Sequence, residues 1–244
     1  MRIAEIYSSL QGEGLLAGTP STFVRASGCN LRCRWCDTPF ASWEPIGENY
    51  SVASILAAVV ACGPRHVVLT GGEPLLFPEV IPLCNGLARE GFHITIETAG
   101  TVLPDLHMLT SPVDLMSISP KLSSSAPSAN TPADWQARHE ASRRCDTVLQ
   151  ALLASGLYQL KFVIESRPDL AEAIAWLNDL AATPLGTTAP VALVDRSRVF
   201  FMPQGVLPSD LARTTQWLAA ECRLAGIQLA PRYHIQWFGN TRGT

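Results

Sequence analysis

Charged side chains are scarce in this sequence. Only 16% of its 244 residues are Asp, Glu, Lys or Arg, whereas 47% are apolar. This balance argues against extensive disorder, because it supplies enough apolar surface to fill a core. The net charge is −3 and no basic block occurs, so electrostatics give no support for a nucleic-acid or anionic-membrane partner. The length suits one α/β domain, and we expect a single domain over residues 1–244.

Long apolar runs are also missing. No stretch reaches the roughly 18 apolar residues that a transmembrane helix needs, and the N-terminus lacks the features of a signal peptide. We therefore expect a cytoplasmic protein. Thiols stay reduced in that compartment, so the seven cysteines do not predict a disulfide framework. Four of them are dispersed, and we expect them to pack as small apolar residues: Cys62, Cys84, Cys145 and Cys222.

Short apolar runs alternate with helix-like stretches after a first strand that starts near Met1. Strands are predicted over Thr22–Ala26, His66–Thr70, His93–Glu97, Asp114–Ser119, Tyr158–Ile164 and Arg198–Met202. Helices are predicted over Val52–Ala61, Pro78–Arg89, Thr131–Ala154, Pro168–Leu180 and Pro208–Leu224. The alternation predicts a parallel sheet, and six strands fit an open, partial TIM-like barrel with outer helices. Leu122–Thr131 reads as a mobile loop and Ala181–Pro190 as a connector.

Three cysteines lie close together directly after the strand predicted at Thr22–Ala26. Cys29, Cys33 and Cys36 have the spacing C-x3-C-x2-C. A structural zinc site usually takes four ligands in two close pairs, and no second pair is present. Three thiolates on a [4Fe-4S] cube leave one iron open to a small molecule. We predict such a cluster, with a structural zinc module as the alternative.

The triplet, with Trp35 as the aromatic residue before its last cysteine, resembles the hallmark of the radical S-adenosylmethionine (SAM) superfamily. Gly71–Pro74 follows the next predicted strand and resembles the turn that meets the SAM amino group. Its glycines permit close backbone approach, while carbonyl groups and Glu73 offer acceptors to an ammonium. Parallel strands gather their ligands at their carboxyl ends, where these motifs fall. The resemblance implies a SAM site at Trp35, Cys36, Asp37, Gly72, Glu73, Ser119, Lys121 and Gln204.

A narrower resemblance is to the 7-carboxy-7-deazaguanine synthase family. It rests on Leu10–Gly14, Phe23–Arg25, Cys36–Thr38 and the tail His234–Gly243, and it spans nearly the whole chain. One element departs from the family pattern. Where members often carry Gln-Pro-x-Asp after the last core strand, Met202–Gly205 has no acidic residue.

This resemblance implies a SAM-dependent radical ring contraction of 6-carboxy-5,6,7,8-tetrahydropterin to 7-carboxy-7-deazaguanine, with release of ammonia, in queuosine or 7-deazapurine biosynthesis. The planar guanidinium of Arg25 suits the substrate carboxylate. Thr38 would share a Mg²⁺ with substrate oxygens, because Mg²⁺ prefers oxygen ligands. No side chain is expected to act as a conventional general base, since the cofactor carries the radical chemistry. The implied substrate site comprises Leu10, Gln11, Gly12, Glu13, Arg25 and Thr70.

The same resemblance implies a homodimer and a reductant such as flavodoxin or ferredoxin. The principal alternative within the superfamily is a glycyl-radical activase, which would act on a protein instead of a pterin. Leu10–Gly14, Thr38 and the tail distinguish the two, because an activase has no need of them.

Overall fold

A computed structural model of the chain describes residues 1–109, 113–182 and 194–244. Within these ranges one sheet has the strand order β3-β1-β2-β4-β5-β6-β7-β8-β9. The strands are β1 (Arg2–Leu10), β2 (Pro20–Ala26), β3 (Glu48–Asn49), β4 (His66–Gly71), β5 (His93–Thr98), β6 (Leu115–Ile118), β7 (Tyr158–Ile164), β8 (Val199–Pro203) and β9 (Gln228–Leu229).

The six predicted core strands are confirmed as β2, β4, β5, β6, β7 and β8. Neighbouring strands run parallel from β2 to β9, whereas β1 is antiparallel to both β2 and β3. The two-residue strands β3 and β9 form the sheet edges and were not predicted. This open, largely parallel sheet is the partial barrel expected from the alternation of strands and helices.

Eight α-helices lie in the described ranges. They are α1 (Pro39–Ser42), α2 (Val52–Cys62), α3 (Val80–Arg89), α4 (Ala133–Ser142), α5 (Asp146–Ala154), α6 (Arg167–Ala182), α7 (Pro208–Ala225) and α8 (Tyr233–Phe238). Pro208 opens α7, and Gly226 ends it with a left-handed φ of 66°, which glycine adopts without steric cost. No helix of the described chain is long and apolar enough to cross a membrane.

The prediction of one helix over Thr131–Ala154 is wrong, because the helix is interrupted between Ser142 and Asp146. Arg143 and Arg144 at the break bind carboxylates on α6, at Glu172 and Asp179. Asp146 then begins α5, where a carboxylate is favoured by the helix dipole.

Two predicted irregular segments have different outcomes. The expected mobile loop Leu122–Thr131 contains a 3-10 turn at Ser123–Ser125, and Ser125 is fully buried. This part of the loop is therefore held in place. The predicted connector Ala181–Pro190 begins inside α6, and its positions 183–190 lie outside the described residues.

Most core strands have an apolar outer face and a more polar inner face, whereas the inner face of β8 is apolar at Phe200 and Met202. Leu69 on β4, Ile96 on β5 and Phe162 on β7 point outward into the main apolar cluster beneath the helices. Alternate residues, such as Thr70 and Lys161, point to the opposite face. Two of the dispersed cysteines, Cys84 on α3 and Cys222 on α7, are buried in the same apolar cluster, as predicted.

Candidate active site

A cavity of about 330 Å³ lies at the carboxyl ends of the parallel strands. Its volume is in the range of small-molecule sites. Every residue assigned to a site from the sequence lines it except Glu73. These are Leu10, Gln11, Gly12, Glu13, Arg25, Cys29, Cys33, Trp35, Cys36, Asp37, Thr38, Thr70, Gly72, Ser119, Lys121 and Gln204.

The three cysteines lie on a loop without regular secondary structure that follows β2. Cys33 is buried, Cys29 and Cys36 are half-buried, and all three are free thiols. Leu31 N donates to Cys29 Sγ at 3.4 Å, and Ser42 Oγ lies 3.1 Å from Cys36 Sγ. Burial raises the pKa of Cys29 to about 11 and that of Cys33 to about 12. These thiols therefore stay protonated at neutral pH unless a cationic group binds them.

The cysteine loop does not form a single-ion site. In the described part of the chain, no three His, Cys, Asp or Glu side chains are arranged to hold one metal ion. A structural zinc needs four ligands converging on one point, so the arrangement does not fit that alternative. A four-iron cube is larger and takes thiolates that stand further apart, which suits three cysteines that line the same cavity.

Gly71 and Gly72 bring the end of β4 against the start of the cysteine loop. Gly72 N donates to Ala26 O at 3.0 Å. A Cβ on Gly72 would lie 2.1 Å from Gly28 O, and Gly71 has a φ of 127°. The protein's own backbone therefore leaves no room for a side chain at positions 71 and 72, whether or not a ligand is bound.

Glu73 holds this turn from behind and does not face the cavity. It is fully buried, and its carboxylate accepts hydrogen bonds from Leu75 N, Thr98 Oγ1 and Ala99 N at 2.8–3.1 Å. Burial outweighs these bonds and raises the pKa of Glu73. The carboxylate is thus occupied within the protein, which differs from the expectation that it faces an ammonium group.

Ser119, Lys121 and Trp35 form one wall of the cavity. Lys121 Nζ donates to Ser119 Oγ at 2.9 Å and stands 5.7 Å from the centre of the Trp35 ring. Trp35 packs on the inner apolar cluster that includes Val163 and Met202. Gln204, on the loop after β8, lines the same cavity. The structure thus brings the predicted SAM residues, other than Glu73, to one cavity.

The cavity floor is a network of charged side chains on the inner strand faces. Lys161 Nζ lies 2.9 Å from Glu13 Oε2 and 3.8 Å from Glu97 Oε1. Glu97 also accepts hydrogen bonds from Gln11 Nε2 at 3.1 Å and Thr70 Oγ1 at 2.8 Å. The predicted substrate residues Gln11, Glu13 and Thr70 are therefore joined by two residues that sequence reasoning missed.

Arg232, just before α8, connects this floor to the cysteine loop. Its Nε donates to Glu13 Oε1 at 3.2 Å, one Nη binds the Asp37 carboxylate, and the other donates to Gly205 O at 2.7 Å. His234 follows, with its Nδ1 3.9 Å from Glu13 Oε1. One buried guanidinium thus contacts segments of both predicted sites.

The ion pairs set the protonation states of the floor. Burial opposes ionisation of Glu13, but Lys161 and Arg232 outweigh it and hold the pKa of Glu13 far below its usual value. Burial lowers the pKa of Lys161, but the carboxylates of Glu13 and Glu97 raise it by more, so the pKa lies above its usual value. Burial dominates at His234 and lowers its pKa, so this side chain is neutral at pH 7.

Arg25 and the C-terminal segment close the remaining side. Arg25 Nε donates to Glu5 Oε1 at 2.7 Å and one Nη donates to Tyr7 Oη at 2.8 Å. The other oxygen of Glu5 binds Arg242 Nε at 2.7 Å. Residues 240–244 line the cavity, and the Arg242 guanidinium lies 4.3 Å from the centre of the Phe40 ring. The tail, which the sequence did not assign, therefore reaches the site.

In sequence and in fold this chain is similar to radical SAM enzymes. The sequence profile of the radical SAM superfamily matches residues 23–126. Among solved structures, QueE from Escherichia coli has the same fold with a TM-score of 0.65 at 23% identity, covering 96% of this chain and 94% of that chain.

Comparison with curated proteins gives the family. Proteins named 7-carboxy-7-deazaguanine synthase from Rhodopirellula baltica and Halobacterium salinarum are 40% and 42% identical to this chain. The matches cover 99% and 96% of this chain, and 88% of each relative. The chain belongs to the 7-carboxy-7-deazaguanine synthase family. This membership excludes both alternatives raised by the sequence, the glycyl-radical activase and the zinc module.

Proposed function

We propose that this chain catalyses the SAM-dependent radical ring contraction of 6-carboxy-5,6,7,8-tetrahydropterin to 7-carboxy-7-deazaguanine, with release of ammonia. The observation that carries the proposal is the joining of the cysteine loop to a polar cavity floor, through Arg232, in a member of this family. We further propose that residues 1–244 act as one catalytic domain.

Residues on the walls of the cavity support the cofactor assignments. Cys29, Cys33 and Cys36 are the proposed ligands of a [4Fe-4S] cluster, and all three thiols are free and line the cavity. Lys121 and Ser119, on the wall that they share with Trp35, are the proposed contacts of SAM. When bound, the cluster and SAM supply the radical that begins the ring contraction. The protein's part is to position both and to exclude water.

Donors and acceptors that line the cavity support the substrate assignments. Within the described part of the chain, Arg25 uses two of its five N–H groups, one on Glu5 and one on Tyr7. The remaining N–H groups can donate to a substrate carboxylate. Gln11 and the backbone of Leu10 and Gly12 can pair with the pterin edge. The neighbouring Glu97–Lys161 pair fixes the position of Gln11.

The Thr38 hydroxyl is the proposed protein ligand of Mg²⁺. It lines the cavity and lies 3.8 Å from Cys36 Sγ, which is too long for a strong hydrogen bond. Its oxygen is therefore available to a metal that takes its other ligands from substrate and water.

We also propose that the enzyme is a cytoplasmic homodimer reduced by flavodoxin or ferredoxin.

The test is an anaerobic assay of reconstituted protein with SAM, reductant, Mg²⁺ and 6-carboxytetrahydropterin, followed by mass spectrometry. We expect 7-carboxy-7-deazaguanine above a control without SAM. Appearance of 5′-deoxyadenosine without this product would refute the proposed substrate while leaving the radical SAM assignment. Absence of both, in protein with a full iron content, would refute the proposed function.

Cys33→Ala tests the cluster ligands separately. We expect it to abolish iron binding and SAM cleavage, while the fold persists in circular dichroism. The matched control is Cys222→Ala, because Cys222 is also buried but belongs to the apolar cluster beneath the helices. Wild-type iron in the Cys33 variant would contradict the ligand assignment.

A further inference from the structure

The cysteine loop depends on other segments for its shape. Residues 27–38 form neither helix nor strand, so few of their backbone groups are paired locally. A cluster site needs its three cysteine side chains in one fixed arrangement. Contacts from other segments to the spacer residues between the cysteines must therefore hold this arrangement.

The first spacer, between Cys29 and Cys33, is held by His139. Arg32 N donates to His139 Nδ1 at 3.1 Å, across 107 residues of sequence. His139 lies on α4 and has no exposed surface. It is neither a residue of the cavity lining nor a part of any sequence motif.

The hydrogen bonds define the tautomer of this histidine. Ser125 Oγ donates its proton to Leu122 O at 2.6 Å, so it can only accept from His139 Nε2, which is 3.1 Å away. Nε2 therefore carries the proton, and Nδ1 is the acceptor that Arg32 N requires. Both ring nitrogens of the buried side chain are paired.

The same support reaches the second spacer. Arg34 N, between Cys33 and Cys36, donates to Ser125 O at 3.1 Å. On the first spacer, the Arg32 guanidinium stacks at 3.6 Å from the centre of the Trp135 ring, one turn before His139 on α4. The turn Ser123–Ser125 and helix α4 thus hold backbone groups in both spacers of the triplet.

We propose that His139 is a positioning residue for the [4Fe-4S] cluster, which fixes the cysteine loop through its bonds to Arg32 N and Ser125. This inference rests on the proposed ligands Cys29, Cys33 and Cys36. Its role is to hold the loop in the cluster-binding shape, so its loss affects cluster retention more than folding. Metal sites commonly depend on such supporting hydrogen bonds.

The test compares His139→Leu, which loses both bonds, with His139→Asn, whose amide oxygen can replace the Nδ1 acceptor. His107→Leu is the control, since His107 is exposed on a separate 3-10 turn. Each protein is reconstituted anaerobically, and three quantities are measured: iron per chain, the rate of iron loss to a chelator, and the electron paramagnetic resonance spectrum of the reduced cluster. The melting temperature of iron-free protein reports the fold.

We expect His139→Leu to lose iron about 10-fold faster than wild type, with a changed spectrum. His139→Asn should lie close to wild type, and the His107 variant should equal it. Unchanged iron loss in His139→Leu, or equal damage in the Asn and Leu variants, would overturn the proposal. If His139→Leu does not fold, the same iron-loss assay is applied to His139→Asn and Ser125→Ala. Wild-type iron retention in Ser125→Ala together with fast iron loss in His139→Asn would overturn the proposal. A wild-type chain that binds no cluster would refute the proposed function itself.

Discussion

Replacing Lys161 by Met should destabilise the fold by about 3 kcal/mol. The Lys161 side chain is 4% exposed and pairs with two carboxylates, Glu13 and Glu97. Removing one partner of a buried ion pair costs about 3–5 kcal/mol, because the other charge stays desolvated. The lower end applies here, because Glu13 keeps Arg232 at 3.2 Å and Glu97 keeps two neutral hydrogen-bond donors.

A double-mutant cycle with Glu13→Gln isolates the pair. The assay is urea unfolding of iron-free, reduced protein at pH 7.5, with Arg89→Met as the control for losing an exposed cation. We expect a coupling energy of about 2 kcal/mol between positions 13 and 161. The pKa of Glu13 is held below its usual 4.5, so its contribution is complete above that pH and is lost as the pH falls further.

The result that would refute this reasoning is a coupling energy below about 0.5 kcal/mol with wild-type stability for Lys161→Met. The floor would then be solvated enough for the charges to act independently. An equally large loss of unfolding free energy in the double variant and in Glu13→Gln alone would instead support coupling between Glu13 and Lys161, since the two charges would then act as a unit.

Two further predictions concern the proposed Mg²⁺ ligand Thr38 and a buried histidine. Thr38→Ala should raise the Mg²⁺ concentration for half-maximal activity about 10-fold and leave SAM affinity nearly unchanged; an unaltered Mg²⁺ response would remove Thr38 from the metal site. His66, held between Ser21 Oγ at 2.7 Å and Thr95 Oγ1 at 2.8 Å, has its pKa lowered to about 4 by burial. Its stabilising effect is therefore complete above about pH 6.5 and is lost as the pH falls towards 4, by about 2 kcal/mol once relaxation of the Thr95 hydroxyl is allowed for. The free energy of unfolding of His66→Gln should fall less over this range, and parallel curves for both proteins would contradict the assignment.

The fold was predictable where one sequence signal dominated. Six core strands follow from short apolar runs, because strands buried on both sides need few polar residues. The errors occurred where tertiary contacts decided the outcome. The break between α4 and α5 depends on Arg143 and Arg144 reaching α6, and the edge strands β3 and β9 are too short to leave a pattern.

The site was predictable at its motifs and not between them. Cys29, Gly72 and Lys121 follow strand ends, where loops converge. Lys161 and Glu97 lie within strands, and a charged residue in the apolar run Tyr158–Ile164 was the available signal, since it must face a polar interior. Arg232 carried no such signal, because its partners Glu13 and Asp37 are about 200 residues away in sequence.

The charges around the cavity separate those used by the protein from those left for a ligand. Lys161, Arg232 and Arg242 each pair with a carboxylate that also lines the cavity. Lys121 differs, because within the described residues it forms no ion pair and donates only to the Ser119 hydroxyl. An ammonium that lines a cavity is stabilised by an anionic ligand, and the carboxylate of the proposed SAM would meet that need. The lack of an ion pair at Lys121 therefore supports the proposed SAM contact at Ser119 and Lys121, whereas the charges of the floor are balanced by other side chains of the protein.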